Sequence, residues 1–411
     1  MSFDFEHYKE IYEKKRSYIK TPEALNTEYV PDKLLFRDEQ LDRLWFDISD
    51  IVDNVKIAKT PTIFGPPGVG KTAVVKHIIS KVLPFYCDGI EPKPIILYLR
   101  CNTHTEYSII HSMLEKLKIK RPRRGIEIEL LYQDLENKLE SIQRNFLVVL
   151  DEIDKYVARG YNKKIIFNLN RMPYMNMILV GNDLSFLDTL DASTKSSFSK
   201  DPIHMKRYNR VQLRKIVRER ADIISSVKGF IPDGACDYIS LLSWREGGDA
   251  RFAIKLLVTS IELAISQGKN SIDEKIINTA INRMHLNEMK ESIYDLSPYE
   301  TIALATLFIY NNGKKMDTTE LHQRYERICR TTSYSPVGMK QFKRYLFQLE
   351  SIGLLEKDFV GKGYSKGTSN KYKFKAQSKD IQEIIVEKIR KELDIDALKT
   401  KEAIKKGNML L

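Results

Sequence analysis

The sequence has few cysteines and no pattern among them. Cys87, Cys101, Cys236 and Cys329 stand far apart with no CxxC pair, which argues against a zinc ribbon or a disulfide framework and for single buried thiols in a reducing, cytoplasmic setting. Long apolar runs are also missing. None approaches the ~20 residues of a membrane-spanning helix, so no membrane partner is expected. The opening residues, Met1 to Glu6, show no basic leader followed by an apolar stretch, and no secretion signal is expected. Acidic residues are the minority charge, 55 Asp and Glu against 67 Lys and Arg, a net +12. That balance favours a polyanionic partner, although many of these cations are ordinary solvated surface. What is present is a hydrophobic share of 42% over 411 residues, enough for soluble cores and a length suited to two or three domains.

The most informative stretch is Gly65-Pro66-Pro67-Gly68-Val69-Gly70-Lys71-Thr72, preceded by Thr62-Ile63-Phe64 and followed by Ala73-Val74-Val75. A strand, a glycine loop and a helix in that order form the phosphate-binding P-loop context. The glycines let backbone N–H groups turn toward phosphate oxygens, and the helix N-terminus adds its positive dipole end. Lys71 is the candidate partner of the β- and γ-phosphates, and Thr72 offers a hydroxyl to Mg²⁺. Further buried strands are expected at Pro94–Leu99, Phe146–Leu150 and Met177–Val180, and a fifth at Ile203–Tyr208. With helical stretches between them they predict an α/β doubly wound core with a parallel five-stranded sheet. The third strand runs into Asp151-Glu152, a Walker B pattern in which Asp151 holds Mg²⁺ and Glu152 orients or deprotonates the attacking water. An acidic pair after a strand also serves as a plain helix cap; the P-loop upstream favours the catalytic role. Asn182, after the fourth strand, is a candidate for the γ-phosphate or the water, against a plain turn residue.

Around this core the patterning changes. Residues 1–20 read as a charged helix covering part of the core, with Tyr8 and Tyr12 among its apolar positions. A helix is expected from Asn102 to Lys118, then the basic loop Lys118–Gly125. From Arg210 onward the pattern is helical, including a helix opened by Gly248-Asp249-Ala250-Arg251 and one whose start at Ser271 is paired with Glu274 as a capping box. A second unit begins at Ser297-Pro298, with helices expected from Pro298, Asp317 and Ser335-Pro336, followed by two strand-like segments around a glycine- and lysine-rich stretch. Three helices and a basic hairpin describe a winged helix. Lys340, Lys343 and Arg344 share the outward face of its third helix, the candidate major-groove reader, and Lys362, Tyr364 and Lys366 stand on the hairpin. Protein–protein contact is the alternative use of such a fold. The expected division is 1–208 for the core with its N-terminal helix, 209–290 for a helical lid, 295–376 for the winged helix and 377–411 for a C-terminal helix and basic tail.

Taken together, Tyr29-Val30-Pro31 with Arg37, the P-loop, Leu150-Asp151-Glu152-Ile153-Asp154, Gly181-Asn182-Asp183, Gly248-Asp249-Ala250-Arg251 and the winged helix resemble the archaeal origin-recognition and helicase-loading initiator family of AAA+ ATPases, over nearly the whole chain. The resemblance implies an ATP- or ADP-regulated replication initiator that binds double-stranded origin DNA, helps recruit the replicative helicase, and works in the cytoplasm on the nucleoid, with paralogous initiator subunits as further partners. It implies Val30, Pro31 and Arg37 at the adenine, Pro67, Gly68, Val69, Gly70, Lys71, Thr72, Ala73 and Tyr208 around the nucleotide, Asn182 as sensor 1 and Arg251 as sensor 2. It also implies a DNA-contacting helix starting near Thr105, Glu106 and Tyr107. Nucleotide would set the angle between core and winged domain. One departure stands out. The family's run after sensor 1 carries an arginine where this chain has Ser193, which implies slow hydrolysis and weak activation of a neighbouring subunit, since lysines such as Lys195 or Lys200 lack arginine's planar fork. The alternatives from other classes are an ATP-gated winged-helix transcription regulator and a clamp-loader-type ATPase.

Overall fold

Aliphatic strands that alternate between two apolar faces need cover on both sides, and the computed structural model supplies it. It describes residues 5–57, 59–161, 164–188, 195, 198, 201–225, 227–310, 315–361, 368–375 and 378–405. The chain divides into two compact units, Met1–Asn278 and Thr279–Leu411.

In the first unit the strands β1 (Thr62–Phe64), β2 (Ile95–Arg100), β3 (Phe146–Asp151), β4 (Met175–Gly181) and β5 (Ile203–His204) form one parallel sheet in the order β2-β3-β4-β1-β5. The helices include α1 (Phe5–Tyr18), which packs against the lid and not over the sheet, α2 (Asp38–Ile48), α3 (Lys71–His77), α4 (Glu106–Lys116) and α5 (Ile128–Ile142) around the sheet, then α6 (Arg210–Ile224), α7 (Asp233–Arg245) and α8 (Ala250–Ser266) as a helical lid. Every residue of β3 and β4 is buried. Because side chains alternate along a strand, Phe146, Val148, Leu150, Met175, Met177 and Leu179 join one core with Ile110, Leu114, Leu131 and Leu135. Leu147, Val149, Ile178 and Val180 join the other with Leu44, Ile48, Val74 and Val75. All strands run the same way, so the P-loop after β1, Asp151 at the end of β3 and Asn182 after β4 emerge on one edge of the sheet, where open α/β folds bind ligands.

Several sequence expectations shift. Tyr8 and Tyr12 remain exposed; α1 docks through its last residues, Tyr18 packing edge-on against Phe230 at 4.5 Å. The stretch Cys101–Thr103 is a 3₁₀ turn and α4 begins only at Glu106. The fifth strand is limited to two residues. Ser271 does not cap the following helix, α9 (Glu274–Tyr294): its hydroxyl donates to the Gly229 carbonyl at 3.2 Å, while the Asp273 carboxylate takes the Ile276 amide at 2.8 Å.

The second unit holds α10 (Pro298–Tyr310), β6 (Met316–Asp317), α11 (Thr318–Arg330), α12 (Met339–Ser351), β7 (Leu355–Gly361), β8 (Thr368–Phe374), α13 (Lys379–Leu393) and α14 (Ala397–Lys405), with an antiparallel sheet in the order β6-β8-β7. It is a winged helix with α10 buried at its centre. The third helix starts at Met339, not at Ser335-Pro336. The preceding segment is held extended, the Val337 carbonyl bonded to His322 Nε2 at 2.8 Å. The segment expected from 377 as a C-terminal helix and basic tail holds α13 and α14, and Ile385, Ile389, Leu393 and Ala397 join the same core as Phe308 and Leu346. The two units divide within α9.

If α13 is part of the winged core, Ile389→Ala, at a fully buried position, costs about 2–5 kcal/mol in urea unfolding of the second unit. A variant as stable as the wild type would make α13 a dispensable appendage.

Candidate active site

The P-loop has the shape its glycines permit. Gly68 and Gly70 lie at φ of 73° and 92°, and Gly70 forms the N-cap of α3. A Cβ on Gly68 would stand 1.9 Å from the Asp249 carboxylate, and one on Gly70 would stand 3.2 Å from the Tyr208 hydroxyl. Lys71 is buried, its Nζ bonded to the carbonyls of Gly65 at 2.6 Å and Pro66 at 2.8 Å and to Asn182 Oδ1 at 2.9 Å. Burial lowers the pKa of its ammonium, with Asp151 opposing the shift. Three carbonyl-type oxygens thus hold a cation that anionic oxygens can claim instead.

Beside it, Asp151 collects three donors. Its Oδ2 accepts from the Thr72 hydroxyl at 2.8 Å and from the Tyr98 hydroxyl, and its Oδ1 accepts from the Glu152 amide at 2.8 Å. Glu152 sits in the left-handed region at φ 59°. Its Oε1 bonds Lys155 Nζ at 2.8 Å, and its Oε2 is buried with no partner among the described residues. The Asp154 carboxylate accepts the Asn182 amide at 3.0 Å, orienting that residue toward Lys71. A threonine hydroxyl and a carboxylate in contact, a lysine between carbonyls and an orphaned carboxylate oxygen match the donor set that a Mg²⁺-bound nucleoside triphosphate requires.

A cavity of about 500 Å³ opens over this cluster. Val30, Pro31, Pro67, Gly68, Gly70, Lys71, Thr72, Ala73, Asp151, Glu152, Asn182, Tyr208 and Arg251 all line it, which unites most of the predicted site. Arg251, near the start of α8, is exposed, while its neighbour Ala250 donates its amide to the Gly68 carbonyl at 3.0 Å. Two predicted residues lie behind the wall. Arg37 is buried; its Nε and Nη2 reach the Val69 carbonyl at 3.1 and 2.8 Å, Nη2 also bonds the Lys206 carbonyl at 2.9 Å, and the guanidinium stacks 3.9 Å from the Tyr208 ring. It braces the P-loop from outside the cavity. The Val69 side chain is fully buried in the apolar core.

Sequence reasoning misses Tyr98, which reads as one more buried strand residue. It also misses Arg220, an arginine in a helical stripe. Arg220 is buried and donates to the carbonyls of Ala24 at 3.1 Å, Asn26 at 3.2 Å and Tyr29 at 2.9 Å, so it holds the strap that carries Val30 and Pro31. Glu28 anchors the same strap, bridging Lys76 Nζ at 2.9 Å and the Arg100 guanidinium. Nothing local in the sequence pairs residues so far apart.

The other predicted contacts are mixed. Thr105 caps α4 reciprocally with Ser108, Glu106 accepts the Tyr132 hydroxyl at 2.7 Å, and Tyr107 donates to the Pro122 carbonyl at 3.1 Å. Glu106 and Tyr107 are therefore committed to internal bonds. Lys340, Lys343 and Arg344 are exposed together on α12. Lys362, Tyr364 and Lys366, and Ser193 and Lys200, lie outside the described residues. Lys195 donates to the Asp188 carbonyl at 3.3 Å.

Parallel sheet, P-loop, helical lid and winged helix define an AAA+ ATPase-type protein with an appended winged helix. Family models agree with that architecture: an AAA domain at residues 58–190, the Cdc6 AAA+ ATPase-type lid domain at 214–282 and the CDC6 C-terminal winged helix domain at 291–384. The ORC1-type DNA replication protein of Desulfurococcus amylolyticus is 29% identical over 351 residues, covering 83% of this chain and 88% of that protein. ORC1-type DNA replication protein 2 of Thermoplasma acidophilum is 26% identical over 372 residues, covering 88% and 90%. Two of the family models are the CDC6 lid and winged helix, and the chain is similar to the ORC1-type replication proteins along most of its length. In fold it matches the Aeropyrum pernix ORC1 protein solved in complex with DNA, with a TM-score of 0.78 at 21% identity over 90% of this chain and 97% of that one. The A. pernix ORC2 protein, solved as ADPNP–ADP complexes, matches with a TM-score of 0.57 at 19% identity over 91% and 99%. No helix among the described residues is long and apolar enough to cross a membrane.

The Glu28 bridge carries a pH signature. Bonds from Lys76, then Arg100, pull its pKa from 4.5 down to about 2. A depressed carboxylate pKa stabilises the fold above the unfolded value, and that stabilisation fades as pH falls from about 4.5 toward 2. Wild type should therefore exceed Glu28→Gln in urea-unfolding stability at neutral pH by under about 1 kcal/mol, the scale of a half-exposed pair. The gap should close at about pH 2; one constant across that range would mean that the carboxylate charge contributes nothing.

Proposed function

We propose that this protein is an ATP- or ADP-regulated replication initiator that binds duplex DNA at replication origins and helps recruit the replicative helicase. The observation that carries the reading is one polypeptide bearing both the Lys71–Thr72–Asp151–Asn182 cluster and a winged helix whose third helix exposes Lys340, Lys343 and Arg344. The matches to the CDC6 lid and winged-helix models support it, as do relatives described as ORC1-type DNA replication proteins.

In this reading Val30 and Pro31 bound the base, and the P-loop amides receive the phosphates at the N-terminus of α3. Lys71 leaves the Gly65 and Pro66 carbonyls for the β- and γ-phosphate oxygens. Thr72 and Asp151 would hold Mg²⁺, which would supply charge neutralisation along the phosphate chain. Asn182, already oriented by Asp154, contacts the γ-phosphate, and Arg251 reaches it from the lid. Glu152 aligns the attacking water, once Lys155 has released its carboxylate. Two features support slow turnover and a switch-like use of nucleotide: Ser193 in place of the family's arginine, and a general base held in an ion pair. Paralogous initiator subunits and the helicase are the further partners in this proposal.

Lys71→Ala should weaken ATP binding by at least about 2 kcal/mol, the scale of charge-assisted hydrogen bonds removed with the ammonium, in titrations with a fluorescent ATP analogue. Tight binding by the variant would reject the site. Lys343→Ala combined with Arg344→Ala should weaken duplex binding and reduce the slope of log K against log salt by roughly 2, about 0.9 for each phosphate that is no longer neutralised. An unchanged slope would remove α12 from the interface. Footprinting across genomic DNA then separates origin protection from the promoter protection that a transcription regulator would give.

A further inference from the structure

The exposed face of α12 is not purely cationic. Phe347 is 68% exposed on this helix. At 100° per residue, positions 340, 343, 344 and 347 fall within an arc of roughly 100°, with 347 inside the arc spanned by the other three. The opposite face, Phe342, Tyr345, Leu346 and Leu349, is buried in the winged-helix core. Along the exposed face, Arg344 donates to Gln341 Oε1 at 3.2 Å. Phe347 therefore contributes little to the fold, and it stands among cations that suit phosphate rather than an apolar protein partner.

We propose that Phe347 is a sequence-reading contact of α12, packing against thymine 5-methyl groups in the major groove of duplex DNA. This rests on the duplex-binding reading given above. Lysines and arginine reaching phosphates position a helix but carry little sequence information. The only apolar feature of a base edge in the major groove is the thymine methyl, and a phenyl ring is a suitable partner for it. Phe347 lies where such a contact can form while Lys340, Lys343 and Arg344 flank it. The chemistry selects thymine-bearing duplex over the same duplex carrying uracil, which differs only by the methyl.

The test uses the full-length protein and a duplex selected from a random pool by the wild type, synthesised once with thymine and once with uracil. Fluorescence anisotropy at fixed salt reads the two Kd values for wild type and for Phe347→Ala. Burial of one methyl corresponds to about a fourfold change in Kd. Wild type should bind the uracil duplex about fourfold more weakly per contacted methyl, and Phe347→Ala should bind both duplexes alike. Thermal unfolding of Phe347→Ala should match the wild type, because the residue is exposed. Equal binding of the two duplexes by wild type overturns the proposal, as does undiminished discrimination by the variant. An equal loss of affinity for both duplexes in the variant also overturns it, assigning Phe347 to the backbone or to another surface. Failure of the wild type to bind any duplex at low salt is a different result: it removes the DNA reading itself, and this inference with it.

Discussion

Asp151 is the constraint on which the site is built. It is a carboxylate only 3% exposed at the end of the inner strand β3, and a buried charge is tolerated only when its lone pairs are used. Thr72 from α3, Tyr98 from β2 and the Glu152 amide each supply a donor. Satisfying one group in this way sets the P-loop helix against two neighbouring strands. The same demand helps explain the Tyr98 hydroxyl, whose pKa is raised by burial and by the adjacent Asp151 charge: it remains a neutral donor at any ordinary pH. Lys71, Asn182 and Asp154 continue the network on the other side.

A second layer of buried arginines holds the elements that surround this network. Arg37 bonds the Val69 carbonyl and stacks on Tyr208; Arg220 bonds three carbonyls of the strap over the cavity. Both use the guanidinium's fixed set of donors to gather backbone carbonyls that no strand or helix satisfies. The lid contributes Asp249, which caps α8 through the Phe252 amide at 2.9 Å and packs where only a glycine at 68 leaves room. The elements that bound the cavity are thus held in part by side chains such as Arg37 and Asp249 that do not line it. This division of labour places Arg37 outside the site and the strap residues Val30 and Pro31 within it.

The winged unit shows how an amphipathic helix separates folding from recognition. The buried stripe of α12 meets α10 and the C-terminal helices in one apolar core, leaving its opposite face free of structural duties. A face with no folding role can carry lysine, arginine and an exposed phenylalanine without cost to the core, so its composition reports on what it meets.

The P-loop, the Walker B carboxylates, the parallel sheet and the winged helix are legible in the chain itself, because each depends on residue types at short spacing: glycines where a left-handed turn meets a helix N-terminus, aliphatic runs where both faces are covered, stripes at the helical period. Helix starts near Ser271 and Ser335 are not: Asp273 rather than Ser271 takes the Ile276 amide, α12 begins after Gly338 with no side-chain cap, and the Val337 carbonyl finds a partner that spacing does not reveal. Tyr98 on Asp151, Arg220 on the strap, Glu28 between Lys76 and Arg100, and Arg37 behind the loop are decided only by the tertiary structure. Each joins residues distant along the chain, and such contacts follow from how layers stack around a core, which local pattern does not encode.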